Sequence, residues 1–111
     1  MILITGPMWS GKRDLAKRLL HGDDAAFETR CACDVHLLAA RREDLAALAD
    51  ELSRYEIVTT AELGGGVVPL DPDERAARER AGRLACLLAE RADTVIRVFC
   101  GIPKVIKGEL R

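Results

Sequence analysis

At 111 residues the chain falls below the roughly 150 of an average domain, which predicts one domain, 1–111, and excludes a second of useful size. Seventeen Lys and Arg against eighteen Asp and Glu leave a net charge of −1, so neither nucleic acid nor an anionic membrane is expected as a partner, and any anion site must be local. Ala and Leu fill 31 positions while two Phe, one Tyr and one Trp are the only aromatics, a balance that favours helices packed by small side chains over a β-sandwich.

The opening apolar run, Met1 to Thr5, ends at Gly6 after about five residues, too short for the 7–15-residue core of a signal peptide and suited to a buried parallel strand. No window approaches the ~20 apolar residues of a membrane span, so a soluble, cytoplasmic protein is expected. From Gly11 to His21, Leu15 and Leu19 recur at helical spacing, with Gly22 placed to cap the helix end. Gly22 to Phe27 reads as a loop and Thr29 to Cys33 as a second strand. Asp34 can then cap one long helix whose Leu38, Leu45, Leu48 and Leu52 form an apolar stripe, with Arg42, Glu43 and Asp50 outside. Tyr55 to Thr60 reads as a third strand, and Gly64-Gly65-Gly66 and Pro69 as a loop.

Asp71 at the N-cap, Pro72 at the first helical position and Glu74 at the third make a strong helix start, and Ala77, Ala81, Leu84 and Leu88 continue the apolar face to about Ala92. Thr94 to Cys100 reads as a last core strand, and Gly101-Ile102-Pro103 as a turn into an edge strand, Lys104 to Lys107. Strands alternating with helices predict an α/β domain of three layers: a mostly parallel sheet of about four core strands plus that edge strand, with right-handed crossovers. Cys31, Cys33, Cys86 and Cys100 form neither a C-x-x-C pair nor zinc-finger spacing, so no metal site is assigned and all four read as reduced packing residues.

Gly6-Pro7-Met8-Trp9-Ser10-Gly11-Lys12 matches the first seven positions of the phosphate-binding pattern G-x-x-x-x-G-K, between a strand and a helix as that loop requires. Its glycines let backbone N–H groups converge on one anion, the helix start adds partial positive charge, and Lys12 supplies a full one. The eighth position, where a Ser or Thr hydroxyl ordinarily ligates nucleotide-bound magnesium, is Arg13. A guanidinium has no oxygen to offer a metal, so a role for magnesium is in question; Arg13 either contacts phosphate or faces solvent. In an open parallel sheet ligands sit beyond the C-terminal strand ends, which brings Asp34 and Glu62 forward as carboxylates that could hold a metal or its water, Asp34 doubling as a helix cap.

Thr60-Ala61-Glu62-Leu63-Gly64-Gly65-Gly66-Val67-Val68-Pro69 resembles the T-N-E-V-G-x-G-I-V-P segment of the adenosylcobinamide kinase/adenosylcobinamide-phosphate guanylyltransferase family of cobalamin biosynthesis. Arg75, Arg78, Gly82 and Arg83 fall where its R-x-x-R-x-x-x-G-R segment would place them, and Ala92-Asp93-Thr94-Val95, Gly101-Ile102-Pro103 and Lys107 continue the register. The resemblance implies a RecA-like P-loop sheet, GTP or ATP as phosphoryl or guanylyl donor, a cobinamide-like corrinoid as acceptor, and a homo-oligomer. In a shortened enzyme of this kind the loop from Gly6 to Arg13, with Gly64 and Gly66, would bind the nucleotide, and the candidate catalytic residues are Lys12, stabilising charge on the transferred group, and Asp34 or Glu62, organising a metal or orienting the acceptor. Against this, Arg13 replaces the hydroxyl residue, Ala61 replaces an asparagine, and Ala85-Cys86 stands where the family has N-Q. The family's chains are longer, mainly in the middle, where their guanylylated histidine sits in a His/Arg-rich segment. His36 lacks those surroundings and reads as a helix-start residue. Two functions remain in view, a shortened nucleotide-dependent transferase and a catalytically inactive nucleotide-binding relative acting as sensor or scaffold; a small interaction protein with a vestigial site explains less of the loop.

Overall fold

The computed structural model describes residues 1–21, 24–63 and 71–109. Its elements are β1 (Ile2–Gly6), α1 (Lys12–Leu20), α2 (Asp24–Arg30), β2 (Cys31–Ala32), α3 (His36–Ala39), α4 (Leu45–Leu52), β3 (Ile57–Ala61), α5 (Pro72–Arg91), β4 (Thr94–Phe99) and β5 (Ile102–Lys107). They form a sheet in the order β2-β3-β1-β4-β5, parallel through its first four strands, with β5 antiparallel to β4. This is the three-layer α/β arrangement expected from the alternation of elements.

Successive residues of a strand point to opposite faces, so a strand covered on both sides is apolar at every position. Leu3, Val58 and Val95 pack on one face with α3, α4 and α5, through Ala39, Leu48, Leu84 and Leu88. Ile4, Ile57 and Ile96 pack on the other with α1 and α2, through Leu15, Leu20 and Phe27. Leu3 pairs in register with Val58 and Val95, so the first cluster contains a row across three strands, whereas Ile4 pairs with Ile96 and with the buried Thr59, and Ile57 of the second cluster pairs with Ile2.

Several expected boundaries move. α1 ends at His21, whose φ of 49° makes the left-handed turn expected of Gly22, a residue outside the described set. The loop expected over 22–27 contains most of α2, and the second strand shrinks from Thr29–Cys33 to Cys31–Ala32. Thr29 Oγ1 donates to Ala26 O at 2.8 Å, and the Arg30 guanidinium binds Leu20 O and both Glu56 oxygens, holding these two residues in the helix end.

The long helix after Asp34 does not form. Asp34 has a φ of 55°, so it cannot be the extended N-cap expected of it; the residue before α3 is Val35, with no side-chain cap. The chain breaks again after Ala39, because Arg80 on α5 donates to the carbonyls of Ala39, Arg42 and Glu43, acceptors that a continuing helix would need for itself. Asp44 then caps α4 through Ala47 N at 3.1 Å. Leu45, Leu48 and Leu52 are buried as expected, but Leu38 is exposed.

The start of α5 is as read: Asp71 accepts from Asp73 N at 2.9 Å with Pro72 at the first position. The turn after β4 is Cys100-Gly101, with φ of 52° and 76°, which lets β5 begin at Ile102 and carry Pro103 on its edge. Of the cysteines only Cys31 is core; Cys33 is half-buried, and Cys86 and Cys100 are exposed, which corrects the reading of all four as packing residues. The loop expected at Gly64–Gly66, with both candidate nucleotide contacts Gly64 and Gly66, lies outside the described residues.

Candidate functional site

The loop from Gly6 to Lys12 leaves the C-terminal end of β1, flanked by β3 on one side and β4 on the other. Connections from β1 and β3 run to opposite sides of the sheet, the position where open α/β sheets leave a crevice. Each glycine has its own reason to be there. A Cβ on Gly6 would collide with Val98 O of β4 and come within 2.8 Å of Ser10 Oγ. Gly11, at a φ of 98°, precedes α1 in a conformation that favours glycine, and Trp9 holds a left-handed φ of 63°. The carbonyls of the turn are occupied: Ser10 O accepts from Gly101 N at 2.9 Å and Gly11 O from Leu15 N at 3.1 Å. The first amides of α1 lack intrahelical acceptors, as at any helix start, and carry its partial positive charge.

Met8, Trp9, Ser10, Gly11, Lys12 and Arg13 line a cavity of about 390 Å³, closed on its far side by Cys33, Asp34 and Thr59. Lys12 is only 7% exposed, and its Nζ donates to Pro7 O, within its own loop, at 2.7 Å. Burial pushes the ammonium below its usual 10.5, while the Asp34 and Glu62 carboxylates oppose the shift. Ser10 is 6% exposed, and its Oγ is the buried side-chain polar atom without a hydrogen-bond partner among the described residues. Asp34 reaches the cavity because its N–H bonds Thr59 Oγ1 at 3.0 Å and the next amide bonds Thr59 O, docking the end of β2 onto β3.

Arg13 lies at the cavity but is engaged elsewhere: Nη2 meets Glu28 Oε1 at 2.8 Å and the guanidinium sits 5.0 Å from the Phe27 ring centroid. Glu62 does not line this cavity. Arg97 of β4 grips it with two hydrogen bonds, 2.8 and 2.9 Å, beside a separate hollow of about 330 Å³ formed with Thr5, Ala61, Arg78 and Gly82. Thus Lys12, Asp34 and the loop converge, while Glu62 acts on Lys12 only through its charge.

Four residues near these sites were not singled out for them by sequence: Thr59, Cys33, His36 and Arg97. His36, the first residue of α3, is 6% exposed, and its Nδ1 accepts from Ala61 N at 3.2 Å. Burial lowers its pKa from 6.5, Asp34 raises it, and the Lys12 ammonium lowers it further, so it shares the electrostatic field of the loop. A histidine two residues after Asp34 was the available signal. Arg97 was legible only through the register that sets it beside Thr5, next to the end of β3. Among the described residues no three His, Cys, Asp or Glu side chains gather as a metal site, and no helix is long and apolar enough to cross a membrane.

The family described as cobinamide kinase/cobinamide phosphate guanyltransferase matches residues 25–106. The chain belongs to this family. A relative, the bifunctional adenosylcobalamin biosynthesis protein CobP of Pseudomonas aeruginosa, is 37% identical over 76 residues, which are 68% of this chain and 44% of that protein. The match therefore spans less than half the relative's length. The family's matched segment includes Asp34, His36, Thr59, Glu62 and Arg97, and begins after the β1–α1 loop, whose reading rests on its own geometry.

Proposed function

We propose that the β1–α1 cavity binds the phosphate chain of GTP or ATP, and that 1–111 is a nucleotide-binding domain serving phosphoryl or guanylyl transfer to a cobinamide-like alcohol. The observation that carries this is Lys12, an ammonium withdrawn from water and bonded to a carbonyl of its own glycine-flanked loop, which also holds the Ser10 hydroxyl, without a partner among the described residues. An anion in the cavity would give the Ser10 hydroxyl a partner, offer the Lys12 ammonium a charged acceptor in place of a carbonyl, and meet the positive end of α1. In this reading Lys12 stabilises charge on the transferred group, the backbone from Gly6 to Arg13 cradles it, and Asp34 orients the acceptor or a metal's water. Glu62, held by Arg97, stands on the acceptor side.

The second reading, an inactive nucleotide-binding relative, draws support from Arg13. Its guanidinium pairs with Glu28 at the place where a hydroxyl would ordinarily ligate magnesium. Pyrophosphate, GTP and ATP are to be tested by thermal shift and by fluorescence of Trp9, the single tryptophan, 95% exposed at the cavity rim. Ligand at about a hundred times its Kd adds roughly 2.7 kcal/mol, raising Tm by about 10 °C or more in a domain this small. Little dependence on magnesium is expected, and Lys12→Ala abolishes the shift. An unchanged shift in that variant rejects the phosphate reading. Incubation with cobinamide and GTP or ATP separates the two functions, since a product heavier by about 80 Da, one phosphoryl group, appears only with a working transferase.

A further inference from the structure

Cys31, in β2, and Cys33, just past its end, lie on one side of the chain: their sulfurs are 3.5 Å apart with a thiol hydrogen bond between them. Their surroundings differ. Cys31 sits in the core with Ile4, Leu15, Phe27 and Ile57, whereas Cys33 is half-buried and forms part of the cavity wall beside Asp34 and Arg13. We propose that Cys31 and Cys33 are a thiol–disulfide exchange site that takes a small soluble disulfide as its co-substrate and reshapes the β1–α1 cavity when oxidised.

The asymmetry assigns the order of steps. Burial and the bond to Cys33 push the Cys31 thiol up, so Cys33, reachable from the cavity, attacks first. Its thiolate attacks one sulfur of the incoming disulfide, forming a mixed disulfide and releasing one thiolate. Cys31 then attacks the Cys33 sulfur, its proton passing to the first released thiolate; the Cys31–Cys33 bond forms and the second thiolate leaves, taking up the proton that Cys33 gave to solvent when it ionised. Two protein thiols are oxidised and one small disulfide is reduced to two thiols. A disulfide needs its sulfurs about 2.0 Å apart, so closure draws Cys33 inward from its 3.5 Å separation. Asp34 follows directly, and its N–H bond to Thr59 Oγ1 is the link that holds the cavity wall. The binding consequence rests on the phosphate reading; the exchange chemistry does not.

The test uses the chain of residues 1–111 carrying Cys86→Ser and Cys100→Ser, which removes the two exposed thiols, treated with oxidised glutathione. Trypsin, cutting after Arg30 and Arg41, releases both remaining cysteines in one peptide. That peptide should become lighter by about 2 Da, the two hydrogens lost on forming the bond, and dithiothreitol should restore it. With Cys31→Ala added, Cys33 should instead stop as the glutathione adduct. A peptide that remains a free dithiol, or wild-type Cys33 that accumulates the adduct, overturns the exchange site. Oxidation should also remove the thermal shift produced by pyrophosphate, and dithiothreitol should return it. An equal shift in oxidised and reduced protein overturns the link to the cavity, whereas no shift in the reduced protein rejects the phosphate reading while the peptide masses still judge the dithiol.

Discussion

At the scale of single residues, the cavity is built from side chains whose burial makes their protonation state matter. His36 is the clearest case. Its Nδ1 must be unprotonated to accept from Ala61 N–H, and burial holds its pKa below the 6.5 of an exposed histidine. The unfolded chain therefore binds a proton that the folded one refuses. The stability contributed by neutral His36 is complete above the unfolded value and is lost as pH falls through it toward the folded one. Tm should fall between about pH 7 and 5, and His36→Asn, which keeps an acceptor near Nδ1 but does not titrate, should flatten that slope. Parallel slopes in the two proteins would show that other groups carry the acid sensitivity. The loop residues themselves were legible because they are contiguous: a strand, two glycines and a lysine suffice. Thr59, Cys33 and Arg97 were not, because Thr59 and Arg97 reach their places through pairing with β1, and Cys33 through the docking of the neighbouring Asp34 on Thr59.

At the scale of elements, hydrophobic spacing marked α1, the α3–α4 segment and α5 as helical but not where each stops, and it missed α2, whose residues 24–30 read as loop and strand. Leu38, Leu45, Leu48 and Leu52 are consistent with one continuous stripe, yet α3 and α4 are separate because Arg80 captures carbonyls between them and Asp44 starts a new helix. The consequence is measurable. Leu48→Ala, which empties a buried site, should cost about 2–5 kcal/mol in denaturant unfolding, while Leu38→Ala should stay within about 0.5 kcal/mol. Similar costs for both would restore the single helix. α5 behaves differently: its cap, its proline and its acidic first turn are all local, so its start needed no tertiary information.

At the scale of the whole molecule, β1, β3 and β4 each contribute to both hydrophobic clusters, so neither face can unpack without exposing the strands shared with the other. Unfolding should accordingly be one transition. Trp9 fluorescence, reporting the loop, and far-UV circular dichroism, reporting the helices, should give coincident curves, and Leu88→Ala, on the face opposite α1, should shift both midpoints together. Separate midpoints would show that the two layers are independent.

Composition, periodicity and turn chemistry by themselves determined the α/β class, the phosphate-loop pattern and the start of the longest helix, because each depends on neighbours within a few residues. Tertiary structure alone decided that Asp34 faces Lys12 while Glu62 is held by Arg97, that His36 is buried behind the loop, and that one cysteine of a C-x-C pair opens onto the cavity. Those outcomes depend on strand order and register, which place residues more than twenty positions apart side by side, and on the competition for carbonyls and amides that only the assembled sheet resolves.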